Sequence, residues 1–250
     1  MTASCPMKPV IEVRDLHFSY ADGTLALDGV NFTLYPGETV ALLGANGSGK
    51  TTFALQLNGI LQGAGSIEVC GLPVIKENLP AIRSKIGMVF QDSDEQLFMP
   101  TVLEDVAFGP LNQGCNPDEA VARAGATLQQ VGMEHALSKA PYHLSAGEKR
   151  KVALAGVLAM RPEILVLDEP TTFLDPPAQH NLLHLLQDLP QAKLIVTHDM
   201  MFARALGRRA AFFERGKLVA DGPIDEIIGR FQWDYSAFDA ALRYSAQRRL

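Results

Sequence analysis

Cysteine is scarce. The chain of 250 residues holds three, Cys5, Cys70 and Cys115, an odd number set far apart. That excludes a disulfide framework, fits no metal-ligand spacing, and points to a reducing compartment with idle thiols. Positive charge is short as well. Lys and Arg number 22 against 28 Asp and Glu, a formal net charge of −6, so bulk electrostatics does not hold this chain on nucleic acid. Long apolar runs are missing. The longest, residues 152–160, is about half of what a membrane span needs. Residues 1–9 lack the apolar core of a signal peptide. No internal repeat or low-complexity segment is present. These gaps predict a soluble cytoplasmic protein whose membrane role, if it has one, comes through a partner. What remains is an ordinary globular composition, 47% hydrophobic and 20% charged, enough for one large domain or two small ones.

One stretch organises the rest. Gly44, Ala45, Asn46, Gly47, Ser48, Gly49, Lys50 and Thr51 fill every fixed position of G-x-x-x-x-G-K-[ST], the phosphate-binding loop. Residues 38–43 read as a buried strand leading in, and residues 51–57 as a helix leading out. Three glycines let the backbone curl so that successive N–H groups face phosphate oxygens. The helix that follows adds its positive end. Lys50 is placed to reach the β- and γ-phosphates and Thr51 to hold Mg²⁺. A glycine-rich turn with a chance lysine would lack this strand and helix.

Upstream, residues 10–20 alternate like a half-buried strand and residues 26–34 read as another. Tyr20 then ends near the loop. It is either a stacking surface for a purine or an ordinary strand-end tyrosine. Downstream, residues 86–90 form a short strand ending at Gln91, where α/β proteins bind ligands. Gln91 can orient water and touch Mg²⁺, or simply lie on the surface. Residues 92–114 carry Leu97, Phe98, Met99, Pro100, Val102, Val106, Phe108 and Pro110. These are subdomain core or, read more sharply, a docking groove for a partner helix. Asn116 caps an alanine-rich helix over residues 117–133.

Ser145 caps a further helix over about residues 147–160, with Glu148 completing a capping box. Residues 164–167 are wholly apolar, as in a buried parallel strand, and end in Asp168 and Glu169. Asp168 is placed for Mg²⁺ and Glu169 for the attacking water. Residues 193–197 are another apolar strand, ending in His198. That histidine is either a helix cap or a contact to the γ-phosphate. Residues 210–222 read as a hairpin and 223–250 as helical, with Phe231, Trp233, Tyr235 and Phe238 apolar. The order describes an α/β unit: a phosphate-loop ATPase core, an N-terminal antiparallel β subdomain and an inserted α-helical subdomain.

The phosphate loop, Gln91, residues 144–148, Asp168 with Glu169, Asp175 and His198 occur in the order of an ATP-binding-cassette ATPase, and over residues 10–228 the chain resembles that family. The resemblance implies a nucleotide-binding domain over 1–228, a helical insertion over about 92–160 and a C-terminal helical tail over 229–250. It implies ATP and Mg²⁺ as cofactors. Gly44 to Thr52 look like its Walker A motif, with Thr52 included, and residues 164–168 like its Walker B. Glu169 resembles the catalytic glutamate, Gln91 the Q-loop glutamine, His198 the switch histidine, Tyr20 the adenine-stacking aromatic and Asp175 the D-loop aspartate.

Leu144, Ser145, Ala146, Gly147 and Glu148 resemble the signature motif, which in that family contacts ATP held by the opposite subunit. A second copy of the chain is therefore an expected partner, with two shared sites per dimer. Ala146 and Glu148 depart from the usual Leu-Ser-Gly-Gly-Gln, and Phe173 stands where glycine is common.

A narrower similarity lies in residues 89–92, Gln96 to Phe98 and residues 104–110. It is to the ATPase subunits of energy-coupling-factor importers, whose membrane partners are a transmembrane coupling protein and a substrate-binding subunit. Residues 147–150 look most like the cobalt or nickel transport subunit, which sits peripherally on the cytoplasmic face of the inner membrane. The sequence itself shows no site for the transported ion. A vitamin importer (biotin, for instance) stays open. Rival classes are a non-transport cassette protein and a phosphate-loop kinase. The first typically carries two cassettes or a long coiled-coil insertion; the second has no use for Ser145–Glu148 or His198.

Overall fold

The computed structural model describes residues 7–233. In chain order the elements are β1 (Ile11–Ser19), β2 (Leu25–Leu34), β3 (Thr39–Leu43), α1 (Lys50–Leu57), β4 (Ala64–Val69), β5 (Leu72–Pro73), α2 (Leu79–Lys85) and β6 (Ile86–Val89). Three longer helices follow, α3 (Val102–Asn112), α4 (Pro117–Gln130) and α5 (Ala146–Ala159). The chain then returns through β7 (Ile164–Asp168), α6 (Pro176–Asp188), β8 (Ala192–Val196), α7 (Met200–Leu206), β9 (Arg209–Glu214), β10 (Lys217–Pro223) and α8 (Ile224–Phe231).

Two sheets result. An antiparallel sheet has the order β2-β1-β4-β5, and a six-stranded sheet the order β10-β9-β3-β8-β7-β6. In the second, β9, β3, β8, β7 and β6 run parallel and β10 is antiparallel at the edge. The central strands β3, β7 and β8 are apolar at nearly every position and buried, as strands covered on both faces must be. In β1, by contrast, burial is interrupted and the register shifts, which suits a sheet with one wet face.

The space between the two sheets is filled around Phe53 of α1, which meets Phe32 edge-on at 5.5 Å and Phe213 at 5.3 Å. On the opposite side of the parallel sheet, α3, α4 and α5 share a second core built on Val106, Leu128, Val152 and Leu154. Val102 and Val106 are fully buried and Pro110 is buried. These members of the 92–114 stretch are therefore core. Phe98, at 63% exposed, is not. A third, smaller cluster lies under α7 and α8.

Of the helix expected over 223–250, the described part is α8, with Phe231 stacked on Phe212 at 3.9 Å, and residues 234–250 lie outside the described residues. Tyr235 and Phe238 lie outside the described residues. Cys70 and Cys115 are free. The Cys70 thiol is pushed up to about 11, first by burial and then by its hydrogen bond to Glu163, which fits an idle thiol.

Candidate active site

Parallel strands all deliver their C-terminal ends to one edge. β3 ends in the Gly44 loop, β7 in Asp168 and Glu169, β8 in Thr197 and His198, and β6 in Gln91 one residue past Phe90. A cleft of about 480 Å³ opens there. Its lining includes Tyr20, Asn46, Gly47, Gly49, Lys50, Thr51, Thr52, Gln91, Asp168, Glu169 and His198. Gly44, Ala45 and Ser48 complete the loop behind it. Ser145, Ala146, Gly147, Glu148 and Asp175 are not in the lining.

The loop's shape depends on glycine at two points. Gly44 has φ +139, and a Cβ there would lie 2.2 Å from the Phe213 carbonyl oxygen. Gly49 has φ +107, and its Cβ would lie 2.5 Å from the Ala26 carbonyl. Both positions admit no side chain. Gly49 leads directly into α1, which has no side-chain cap and no acidic residue in its first turn. The first N–H groups of α1 are thus left for an anion. Lys50 is 7% exposed and donates to the Gly44 and Ala45 carbonyls at 2.8 and 2.9 Å. Burial lowers the ammonium below its usual range, with Glu169 and Asp168 opposing.

The acidic pair is equally buried. Thr51 Oγ1 donates to Asp168 Oδ2 at 2.9 Å, while Asp168 Oδ1 and Glu169 Oε2 have no hydrogen-bond partner. Burial holds the Asp168 carboxyl above the ordinary carboxylate range, with the Thr51 hydrogen bond opposing. A hydroxyl beside a carboxylate oxygen that lacks a partner is a hard, all-oxygen donor set, and it suits Mg²⁺. The residues present fit that ion. His198 Nδ1 lies 2.9 Å from Glu169 Oε2, off hydrogen-bond alignment, with the imidazole 70% exposed. Glu169 itself sits at φ +45, a left-handed backbone imposed by the turn after β7, and its N–H donates to the Val196 carbonyl at 2.8 Å.

Tyr20 is 41% exposed, meets Phe18 edge-on, and its hydroxyl shares a 2.8 Å hydrogen bond with Thr52 Oγ1. The ring is fixed at the mouth of the cleft. Asp175 caps α6 by accepting from the Ala178 N–H. At α5 the capping box is complete: Ser145 Oγ accepts from the Glu148 N–H, and Glu148 accepts from the Ser145 N–H. The helix therefore starts at Ala146, one residue earlier than expected. Its N–H groups at Ala146 and Gly147 have no acceptor within the helix.

Several residues that the sequence offered only through the importer resemblance, with no role in the site, hold it together. Arg150 is 3% exposed and donates to the carbonyls of Phe90 (2.5 Å), Gln91 (2.6 Å) and Glu169 (3.4 Å). One guanidinium on α5 thus grips the chain at the ends of both β6 and β7. Lys149 adds an ion pair to Asp94 at 2.5 Å. The Gln96 side chain accepts from the Phe90 N–H and donates to the Met88 carbonyl, acting as a strand partner along the edge of β6. Asp105 Oδ1 accepts from the N–H groups of Phe98 and Met99 at 3.0 Å each. That turn presents Phe98 against Phe108, edge-on at 5.0 Å, over a groove of about 160 Å³ floored by Val157 and Met160. The partners of Arg150, Gln96 and Asp105 are main-chain atoms, so no sequence pattern announces them. Phe173 is 79% exposed at φ +64, a backbone glycine adopts more readily.

This geometry is that of a phosphate-loop ATPase. A family model described as ABC transporter matches residues 27–172. A putative ABC transporter ATP-binding protein of Geobacter sulfurreducens is 50% identical over 88% of this chain and 89% of its own. The energy-coupling factor transporter ATP-binding protein EcfA of Methanothermobacter thermautotrophicus is 47% identical over 88% of this chain and 72% of its own. Among solved structures, CbiO1 from Clostridium perfringens, described as part of the ABC transporter complex CbiONQ, superposes with a TM-score of 0.79. It is 36% identical, over 88% of this chain and 91% of that one. The MJ0796 cassette, solved as a dimer with ADP and phosphate, superposes at 0.78 with 27% identity, over 86% of this chain and 98% of that one. The chain belongs to the ABC transporter family and is one of its ATPases, which hydrolyse ATP to drive transport. Among the described residues no helix is long and apolar enough to cross a membrane.

Proposed function

We propose that this chain is the ATP-hydrolysing subunit of an energy-coupling-factor importer for a transition metal ion, cobalt or nickel. In this reading it sits on the cytoplasmic face of the inner membrane. Residues 1–228 act as the nucleotide-binding domain, with the helical insertion over about 92–160. The observation that carries the coupling role is the groove lined by Met88, Gln96, Phe98 and Phe108, downstream of Gln91, where Phe98 stands exposed against half-buried Phe108. It lies on the chain segment that Arg150 ties to Glu169. A membrane helix docked there would act on the catalytic edge through main-chain contacts. The likeness to EcfA and to CbiO1 supports the importer type, and the residues Gly147, Glu148, Lys149 and Arg150 support the metal.

The chemistry follows from the placement. The N–H groups of the Gly44–Thr51 loop and the Lys50 ammonium hold the β- and γ-phosphates. Tyr20 supplies a face for the adenine. Thr51 Oγ1, Asp168 and Gln91 would hold Mg²⁺, which would neutralise charge on the phosphate oxygens. Glu169 Oε2, free of hydrogen bonds, orients the attacking water and accepts its proton, and His198 holds the γ-phosphate side. A second copy brings the start of its α5, with Ser145 and Gly147, over the same phosphate. Gly147 is not demanded by its own subunit: φ is not positive there, and a Cβ would meet Leu174 at an ordinary 3.5 Å.

The test is purification of the complex from native membranes and its reconstitution into vesicles. ATP-dependent uptake of Co²⁺ or Ni²⁺ by a complex containing a coupling protein and a separate substrate subunit is the expected result. The same assembly without metal uptake identifies a vitamin importer instead. Recovery of no membrane protein removes the transport assignment to this importer type.

A further inference from the structure

Six histidines occur in the chain. His17 sits between Asp15 and Asp28, His135 beside Glu148 and His198 beside Glu169. His143 meets Tyr142 edge-on. The remaining two, His180 and His184, face each other one turn apart on α6, with Nε2 atoms 2.9 Å apart and rings nearly perpendicular at 88°. Both are exposed, while α6 buries Leu182 and Leu186 on its other side. The pair therefore adds little to the core. No carboxylate among the described residues lies within ion-pair distance of either ring.

We propose that His180 and His184 form a two-imidazole site for a divalent transition-metal ion that takes nitrogen ligands at right angles, copper(II) or nickel(II). Metal–imidazole bonds are about 2.0–2.1 Å, so two of them meeting at about 90° place the nitrogens about 2.9 Å apart, against about 3.3 Å for a tetrahedral angle. The observed separation is the right-angle value. One ring now donates its Nε2–H to the other Nε2. Binding needs only that this ring carry its proton on Nδ1 instead, which frees both Nε2 lone pairs and releases no net proton. Helix geometry fixes the two Cβ atoms on one face, so the chelate is assembled before the ion arrives. Water completes the coordination, because no group of three ligating side chains occurs among the described residues. The site is separate from the nucleotide cleft and independent of what the complex transports.

The experiment titrates untagged, full-length protein with CuCl2, NiCl2 and ZnCl2, without nucleotide and in excess MgCl2. Magnesium prefers oxygen donors and does not compete for imidazole. The expected result is one equivalent bound with copper tighter than zinc. His180→Gln and His184→Gln should each weaken it by about tenfold or more, and the double variant should lose it. Copper electron paramagnetic resonance should show two nitrogen ligands in the wild type and one in each single variant. Because both side chains are exposed, the variants should melt with the wild type in the absence of metal. Equal copper affinity in the wild type and the double variant overturns the site. Zinc binding tighter than copper overturns the right-angle geometry.

Discussion

Asp168 shows at the scale of one residue how this site trades stability for chemistry. Its carboxylate is 6% exposed, and burial raises its folded-state pKa above the unfolded value. The sign follows directly. An acid that binds its proton more tightly when folded costs stability wherever it is ionised, so the cost is present at neutral pH and vanishes as pH falls below both values. Asp168→Asn keeps an acceptor for Thr51 Oγ1 and fills the Oδ1 position with a neutral group. The nucleotide-free variant should melt higher at pH 7 by roughly 2–4 °C, the shift that about 1 kcal/mol produces in a domain of this size. The gain should shrink in acid, and Mg²⁺-dependent ATP hydrolysis should be lost. Thermal melts at two pH values, paired with a turnover assay, check all three. A variant that melts lower at pH 7 would show that the carboxylate's attraction to Lys50 and Arg150 outweighs its burial.

At the scale of elements, α5 does two jobs from adjacent turns. Its first turn offers free N–H groups at Ala146 and Gly147. Its second turn holds Arg150, which binds three carbonyls at the ends of β6 and β7. Arg150→Met removes those donors while keeping much of the apolar stem. A loss of position at Gln91 and Glu169 should lower kcat by about 10- to 100-fold while the ATP Kd holds, because the Gly44–Thr51 loop is untouched. Parallel loss of ATP binding in a nucleotide titration would make Arg150 a general structural support instead. The groove beside it predicts a different split. Phe98 is exposed, so Phe98→Asp should leave the melt within about 0.5 kcal/mol of wild type and leave ATP turnover of the isolated chain intact. Recovery of the membrane partner should fall. Val106→Asp, by contrast, places a charge in the shared core of α3, α4 and α5 and should unfold the chain. If Phe98→Asp also unfolds it, Phe98 belongs to that core after all.

At the scale of the whole molecule, the parts legible in the sequence are those written in contiguous residues. The phosphate loop is a local motif, the strands β3, β7 and β8 are apolar runs, and Ser145 caps as its spacing to the next helix suggests. The meeting of Gln91, Glu169 and His198 was legible for one further reason: parallel strands put their C-terminal ends on one edge. What was hidden has main-chain partners or tertiary causes. Arg150 and Gln96 bond to carbonyls and amides that any residue supplies. The left-handed φ of Glu169 and Phe173 comes from the turn they share, not from their types. Gly147 belongs to neither set, since nothing within its own subunit requires it, and that makes it the residue on which the paired assembly can be judged. Glu169→Gln should bind ATP and elute as a dimer on size exclusion, because the water-orienting carboxylate is gone while every phosphate contact remains. Gly147→Ala should fold with an unchanged or slightly higher melt, as alanine favours a helix over glycine by up to about 1 kcal/mol. Added to Glu169→Gln, it should keep one ATP per chain yet elute as a monomer, if the partner's phosphate must come so close to the Ala146 and Gly147 N–H groups that an added methyl keeps it away. A dimer that survives the double substitution would move the contact away from α5. A Glu169→Gln chain that is monomeric with ATP bound would end the two-copy model altogether.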